Sequence, residues 1–242
     1  MIKTQIVEYR DGDHVCEGYL AYDDAKSGKR PGVFVAHEWN GCGEYMYKRC
    51  EMLAELGYVA FAADIFGKGI RAKSFPECEA ISKAYYEDRA LTRRRAKAGL
   101  DVLTKQPNVD ASKVAAIGYC FGGIVVLELA RSGADVKGSV AFHGQLSTPN
   151  AADAKNIKGK VLICHGAIDP VVPPAEVAAF EKEMEDAKVD WQFISYGGAM
   201  HTFTNWNLPT TPPAGMPAAY NEKADKRSWQ AMRDFFAETI DQ

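Results

Sequence analysis

The chain predicts an α/β fold with a mostly parallel central sheet, helices on both faces and an N-terminal antiparallel hairpin, and three observations carry that prediction. Apolar, β-rich runs alternate with helical stretches after an initial hairpin. The runs at 31–36, 58–63, 114–118, 138–142 and 160–164 are continuously apolar or nearly so, as strands covered on both faces must be. Residues able to do chemistry gather just after them: His37-Glu38, Asp64, Cys120, His143, His165 to Asp169, and His201. In parallel sheets, ligands bind at those carboxyl ends.

Taken in order, residues Ile2 to Tyr9 and His14 to Tyr22 alternate as two strands, and Arg10-Asp11-Gly12-Asp13 between them supplies Asp-Gly turn chemistry. A polar loop, Asp23 to Arg30, leads to the buried strand Pro31 to Ala36, which ends in His37-Glu38-Trp39-Asn40-Gly41. Met46, Cys50 and Leu53 recur at helical spacing, Gly57 closes that helix, and Tyr58 to Ala63 forms the next strand. Ser74 to Lys105 carries long helical stretches that stop before Pro107. Gly138 to Phe142 and Lys160 to Cys164 are further strands. Pro173 and Pro174 start a helix with Val177, Phe180 and Met184 inward. Trp191 to Tyr196 is the last strand. A Pro-rich loop, Thr204 to Pro217, precedes a terminal helix with Trp229, Met232 and Phe236 on one face.

With 242 residues and 47% hydrophobic content, the chain is long enough to form one α/β domain over 1–242 with a substantial core. A net charge of −3 with both signs interspersed argues against nucleic acid as a partner, and the one basic triplet, Arg93-Arg94-Arg95, is expected on a solvated helix face. There is no run of 18 or more apolar residues, and Met1 to Gln5 lacks the apolar core of a signal peptide. Together these place the protein in the cytoplasm, away from membranes. The six cysteines form no CxxC pair and are expected as free thiols; without compact Cys/His spacing, no metal is expected. No cofactor motif is present.

The most informative stretch is Val114 to Gly123, an apolar strand ending in Gly118-Tyr119-Cys120-Phe121-Gly122-Gly123 and running directly into the apolar stretch Ile124 to Ala130. GxCxG at a strand-to-helix turn is the pattern of a nucleophile elbow with sulfur in place of oxygen. The turn brings neighbouring backbones too close for side chains, hence the glycines. It sets the sulfur at a helix N-terminus, beside the free amide of Phe121, which can stabilise an oxyanion.

A thiol nucleophile needs a base and an acid that orients the base. His14 lies in the hairpin, far from the strand ends, and reads as a surface residue. His143 and His165 each precede a glycine just after a strand and read as buried structural imidazoles, while His37 shapes the loop around Glu38. His201, on a Gly-rich loop after the last strand, is free to swing over the sheet edge. It also gives the chain order nucleophile, acid, His. Asp169 is the fitting orienter; Asp64 is the rival, though its place before Ile65-Phe66-Gly67 suits a loop-shaping carboxylate. Glu38 is either a solvent-facing loop acid or a group that accepts or relays the thiol proton.

The elbow, the His37 to Gly41 turn, His165-Gly166 with Asp169, and Met200-His201-Thr202-Phe203, in this order at strand ends, together resemble the dienelactone hydrolase (carboxymethylenebutenolidase) family. The resemblance implies the α/β-hydrolase fold, Cys120 as nucleophile, His201 as base and Asp169 as its partner. It also implies Glu38 acting on the resting thiol, with the amides of Phe121 and Trp39 forming the oxyanion hole. Relatives that open dienelactones hold the substrate carboxylate with two arginines. Here the loop after His201 reads Thr202-Phe203-Thr204-Asn205, so one is missing, and Arg71 and Arg89 are the loose candidates for the other.

The expected activity is hydrolysis of a small ester or lactone through an acyl-thioester, by a monomer or small homo-oligomer. By position, Trp39, Tyr85, Trp206 and the Pro-rich loop line the pocket, with Thr202 and Arg89 as further substrate contacts. A binder or a redox sensor using Cys120 is the alternative reading.

Overall fold

The computed structural model describes residues Met1 to Gln242. One eight-stranded sheet forms its centre. The strands are β1 (Ile2–Asp11), β2 (His14–Asp23), β3 (Arg30–Ala36), β4 (Val59–Ala63), β5 (Val109–Tyr119), β6 (Gly138–Phe142), β7 (Lys160–Gly166) and β8 (Trp191–Tyr196). They lie in the order β1-β2-β4-β3-β5-β6-β7-β8. Every pairing from β4 through β8 is parallel, while the β1–β2 hairpin joins β4 antiparallel, with Tyr19 opposite Ala62. The hairpin forms because Gly12 supplies a left-handed φ of 60° in its turn.

The helices are α1 (Glu44–Leu56), α2 (Phe75–Glu87), α3 (Arg89–Thr104), α4 (Phe121–Arg131), α5 (Pro174–Ala187) and α6 (Glu222–Thr239). Side chains alternate across the sheet, so the apolar runs feed two cores at once. Val33, Val35, Ala115 and Ile117 pack beneath α1 and α6 with Met46, Leu53, Met232 and Phe236. Phe34, Ala36, Val114 and Ala116 face α3, α4 and α5 with Leu100, Leu127, Phe180 and Met184. Gly57 closes α1 at φ 108°, as its sequence position predicts.

Three sequence expectations need correction here. The basic triplet is not a solvated face: Arg93 pairs with Glu128 and Asp153, and Arg95 is buried against Asp11, leaving only Arg94 exposed. Consecutive helix residues point about 100° apart and cannot share a face. His14 is not free at the surface either, because its Nε2 lies 2.9 Å from the Phe66 carbonyl. The elbow strand is also longer than its apolar run, starting at Val109, with the polar stretch next to a register shift at Pro31/Gly32.

Because β3 leads outward to β4 while β5 leads the other way to β6, the carboxyl ends of β3 and β5 flank the point where strand order reverses. A crevice opens there in sheets of this kind. Glu38 follows β3, and Cys120 follows β5.

Candidate active site

Cys120 sits between β5 and α4 with φ 53° and ψ −114°, a strained conformation for a residue with a side chain. The glycines around it are required by contact. A Cβ on Gly118 would lie 1.9 Å from the Gly122 carbonyl oxygen, and one on Gly122 would lie 2.2 Å from that of Ala36. The turn leaves Cys120 half-buried while the other five cysteines are buried, and all six are free thiols.

The sulfur meets an imidazole. Cys120 Sγ is 3.2 Å from His201 Nε2, and His201 Nδ1 is 2.8 Å from Asp169 Oδ2. Asp169 is itself fixed by the amides of Val171 and Val172, which donate to its other oxygen. Burial disfavours charge on His201, but the Cys120 sulfur and the Asp169 carboxylate outweigh it and push the imidazole up to about 10. Two backbone N–H groups near the elbow have no backbone acceptor. Phe121 opens α4, so its N–H is one of the donors a helix leaves unpaired at its start. The Trp39 N–H, in the turn after β3, has no backbone acceptor.

The remaining histidines serve the scaffold. His37 is held neutral by burial, at about 4; it accepts the Ile65 N–H at Nε2 and donates from Nδ1 to the Glu38 carbonyl. His143, also kept neutral by burial, donates from Nε2 to Thr204 Oγ1 and accepts the Cys120 N–H at Nδ1, 3.1 Å away. It thereby supports the backbone of the elbow from below. His165 does not follow its strand as expected but lies within β7, opposite Ser195 of β8 with its ring against Phe193, and a Cβ on the next residue, Gly166, would meet the Ala199 carbonyl at 2.6 Å. Asp64 is wholly buried and accepts the amides of Glu17 and Gly67, a loop-shaping role.

Glu38 lines the same cavity and is 5% exposed. Its Oε2 accepts from Asn205 Nδ2 at 2.7 Å and its Oε1 has no partner, so the thiol's hydrogen bond goes to His201 and not to Glu38. Burial pushes this carboxyl up to about 7, against the opposing bond from Asn205. A folded-state value above the unfolded one means stability that is full below about pH 4.5 and lost as pH rises to about 7. Glu38→Gln is therefore expected to raise stability at pH 8 by on the order of 2 kcal/mol and to change it little at pH 4.5. Urea unfolding of both proteins at the two pH values measures it; an equal gap at both would refute the assignment.

The cavity over Cys120 has a volume of about 760 Å³ and is bounded by the Glu38–Asn40 turn, one face of α2, and the loop from His201 to Ala218. Residues 16–240 match the dienelactone hydrolase family. The chain belongs to that family.

Membership makes this dienelactone hydrolase family protein a hydrolase of the ester or lactone type. A crystal structure of a dienelactone hydrolase-like promiscuous phosphotriesterase from metagenomic libraries is 44% identical, with 99% of each chain covered and a TM-score of 0.93. A putative carboxymethylenebutenolidase of Synechocystis is 26% identical over 97% of this chain and 96% of its own. A probable 2-oxo-3-(5-oxofuran-2-ylidene)propanoate lactonase of Bradyrhizobium is 25% identical over 88% and 90% of the two chains. No helix is long and apolar enough to cross a membrane.

Within this family member, Thr202 and the Pro-rich loop line the cavity as expected, and so does Trp39. Three expected substrate contacts do not. Tyr85 turns into the core, donating its hydroxyl to the Phe66 carbonyl, and Tyr86, about 100° further round α2, takes the place at the cavity wall. Arg89 lies behind that wall, its guanidinium 5.7 Å from the Tyr86 ring centre and Nη1 on the Tyr85 carbonyl. Trp206 packs 4.5 Å from the Arg49 guanidinium, outside the cavity. Arg71, the other loose candidate, folds onto its neighbour's carbonyl at Ile70.

Sequence reasoning missed Asn205 and Tyr86, and it missed Arg49 entirely. Arg49 is fully buried among the rings of Tyr45, Tyr119, Trp206 and Trp229, bonded to Asp225 and to the Thr204 carbonyl. It clamps the loop that carries His201 and Asn205. Only Asn205, four residues beyond His201 on the same loop, left a readable signal.

Proposed function

We propose that the protein hydrolyses small esters or lactones through an acyl-thioester on Cys120. The observation that carries this reading is the hydrogen-bonded series Sγ–His201–Asp169 at a strained elbow that opens directly into the N-terminus of α4. With His201 holding the proton, Sγ attacks the carbonyl carbon as a thiolate. The charge that develops on oxygen is met by the N–H groups of Phe121 and Trp39. Collapse breaks the C–O bond, and the departing alkoxide takes the proton from His201 Nε2. Acylation removes the sulfur's negative charge, which had held the imidazole protonated, so the neutral ring can now accept a proton from water. The hydroxyl adds to the thioester, the C–S bond breaks, and the acid leaves with thiolate and imidazolium restored.

The test is turnover of 4-nitrophenyl acetate by the wild type and Cys120→Ala. The variant is expected to lose at least about 10³-fold in kcat/KM. Equal rates in both would remove Cys120 from the chemistry and favour a binder or thiol sensor. Phosphotriester cleavage is a second reading, supported by 44% identity over 99% of both chains to an enzyme described with that activity. The same thiolate would displace an aryl oxide from a neutral triester's phosphorus.

A further inference from the structure

The walls of the cavity carry information about charge. Its charged residues are His201, whose proton is already shared with Cys120 and Asp169, and Glu38, Glu79, Lys83 and Glu87. The last three lie at four-residue spacing on the exposed face of α2, and the one cation among them is already engaged, with Lys83 Nζ 3.7 Å from Glu87 Oε1. No arginine reaches in. Arg89 is held behind Tyr86, Arg71 is folded onto Ile70, and Arg49 is enclosed by four aromatic rings and paired with Asp225.

The rest of the wall mixes uncharged polar residues such as Asn40, Gln145 and Thr202 with an apolar and aromatic part: Trp39 packed edge-on to Phe75 at 5.2 Å, Tyr86, Leu208 and Met216. A carboxylate brought against the α2 wall would shed water without gaining a free cation, because His201 is bonded to Asp169 and Cys120 and Lys83 to Glu87, and it would face the acids Glu79 and Glu87. An uncharged group loses nothing there. A quaternary ammonium gains the acids and the ring faces.

We propose that this pocket selects esters and lactones whose groups are uncharged or cationic and discriminates against those that carry a carboxylate. The inference rests on the Cys120 hydrolase reading above and deepens it. The difference resides in substrate binding, so it enters through KM and weakens with salt. For exposed acids facing a bound anion, the discrimination expected is roughly tenfold.

Three 4-nitrophenyl esters test it: those of adipic acid, of its monomethyl ester, and of 6-(trimethylammonio)hexanoic acid. They share a chain and leaving group and differ in the charge at the far end. The wild type is expected to favour the neutral over the anionic ester by about tenfold in kcat/KM, with the cationic ester cleaved at least as well as the neutral one. In the double variant Glu79→Lys with Glu87→Lys, both at exposed helix positions, the neutral-to-anionic ratio should fall to near one or below. Wild-type ratios under about threefold, or a ratio unmoved in the double variant, would overturn the proposal. Cys120→Ala on the neutral ester separates the two readings. If it abolishes turnover while the ratio is flat, the hydrolase stands and the charge selection falls. If it leaves turnover intact, the hydrolase reading falls, and the charge selection falls with it.

Discussion

Replacing His201 by Ala is expected to lower kcat/KM for a neutral aryl ester by roughly 10²- to 10⁴-fold. The geometry sets this size, because His201 is the hydrogen-bond partner of Cys120 Sγ and, in the mechanism proposed, gives a proton to the leaving group and takes one from water. The pH dependence supplies a second check. In the wild type, the sulfur and Asp169 outweigh burial and push His201 up to about 10, so the imidazole gives up its proton only as pH approaches that value. The wild-type acylation rate should therefore change little between pH 7 and 9. The variant, which lacks this imidazole, should not share that flat profile. A loss under about tenfold, or parallel pH profiles, would remove His201 from the proton transfers.

Gly118→Ala is expected to destabilise the fold by about 4 kcal/mol or more. Its Cβ would lie 1.9 Å from the Gly122 carbonyl oxygen and 2.2 Å from that carbonyl carbon, and both atoms belong to the backbone of α4. No side chain can swing aside. To make room, the first turn of α4 would have to leave β5 and take Cys120 with it. Gly197→Ala is the matched control, since a Cβ there meets nothing within 4 Å. Its effect should stay within about 0.5 kcal/mol. Urea midpoints of the two variants decide the matter, and similar midpoints would contradict this account of the elbow.

Much of this architecture is local and therefore readable. β6 begins and ends where its run does and is buried along its whole length, because a doubly covered strand must be largely apolar. The elbow is readable because Gly118 is forced by a contact inside the turn itself, with Gly122, even though Gly122 and Gly123 answer to Ala36 and Gly144 on neighbouring segments. Helix phase near a helix end is harder to read. Tyr85 and Tyr86 are identical in type and adjacent, and only the packing of α2 against Phe66 decides which one faces the cavity. The clamp around Arg49 was unreadable because its rings come from α1, β5, the Pro-rich loop and α6, and its acid lies 176 residues away. Glu38 and Asn205, 167 residues apart, meet only once β3 and the loop carrying His201 are in place. A buried arginine looks like any surface arginine until its neighbours are known.

The most direct measurement is the intact mass of the protein quenched in acid within the first turnovers of 4-nitrophenyl acetate, followed by peptide mapping. The account predicts a species heavier by one acetyl group, with the label on Cys120, decaying as turnover proceeds and absent in Cys120→Ala. Steady turnover with the acetyl group on another residue, or with label persisting in Cys120→Ala, would contradict it.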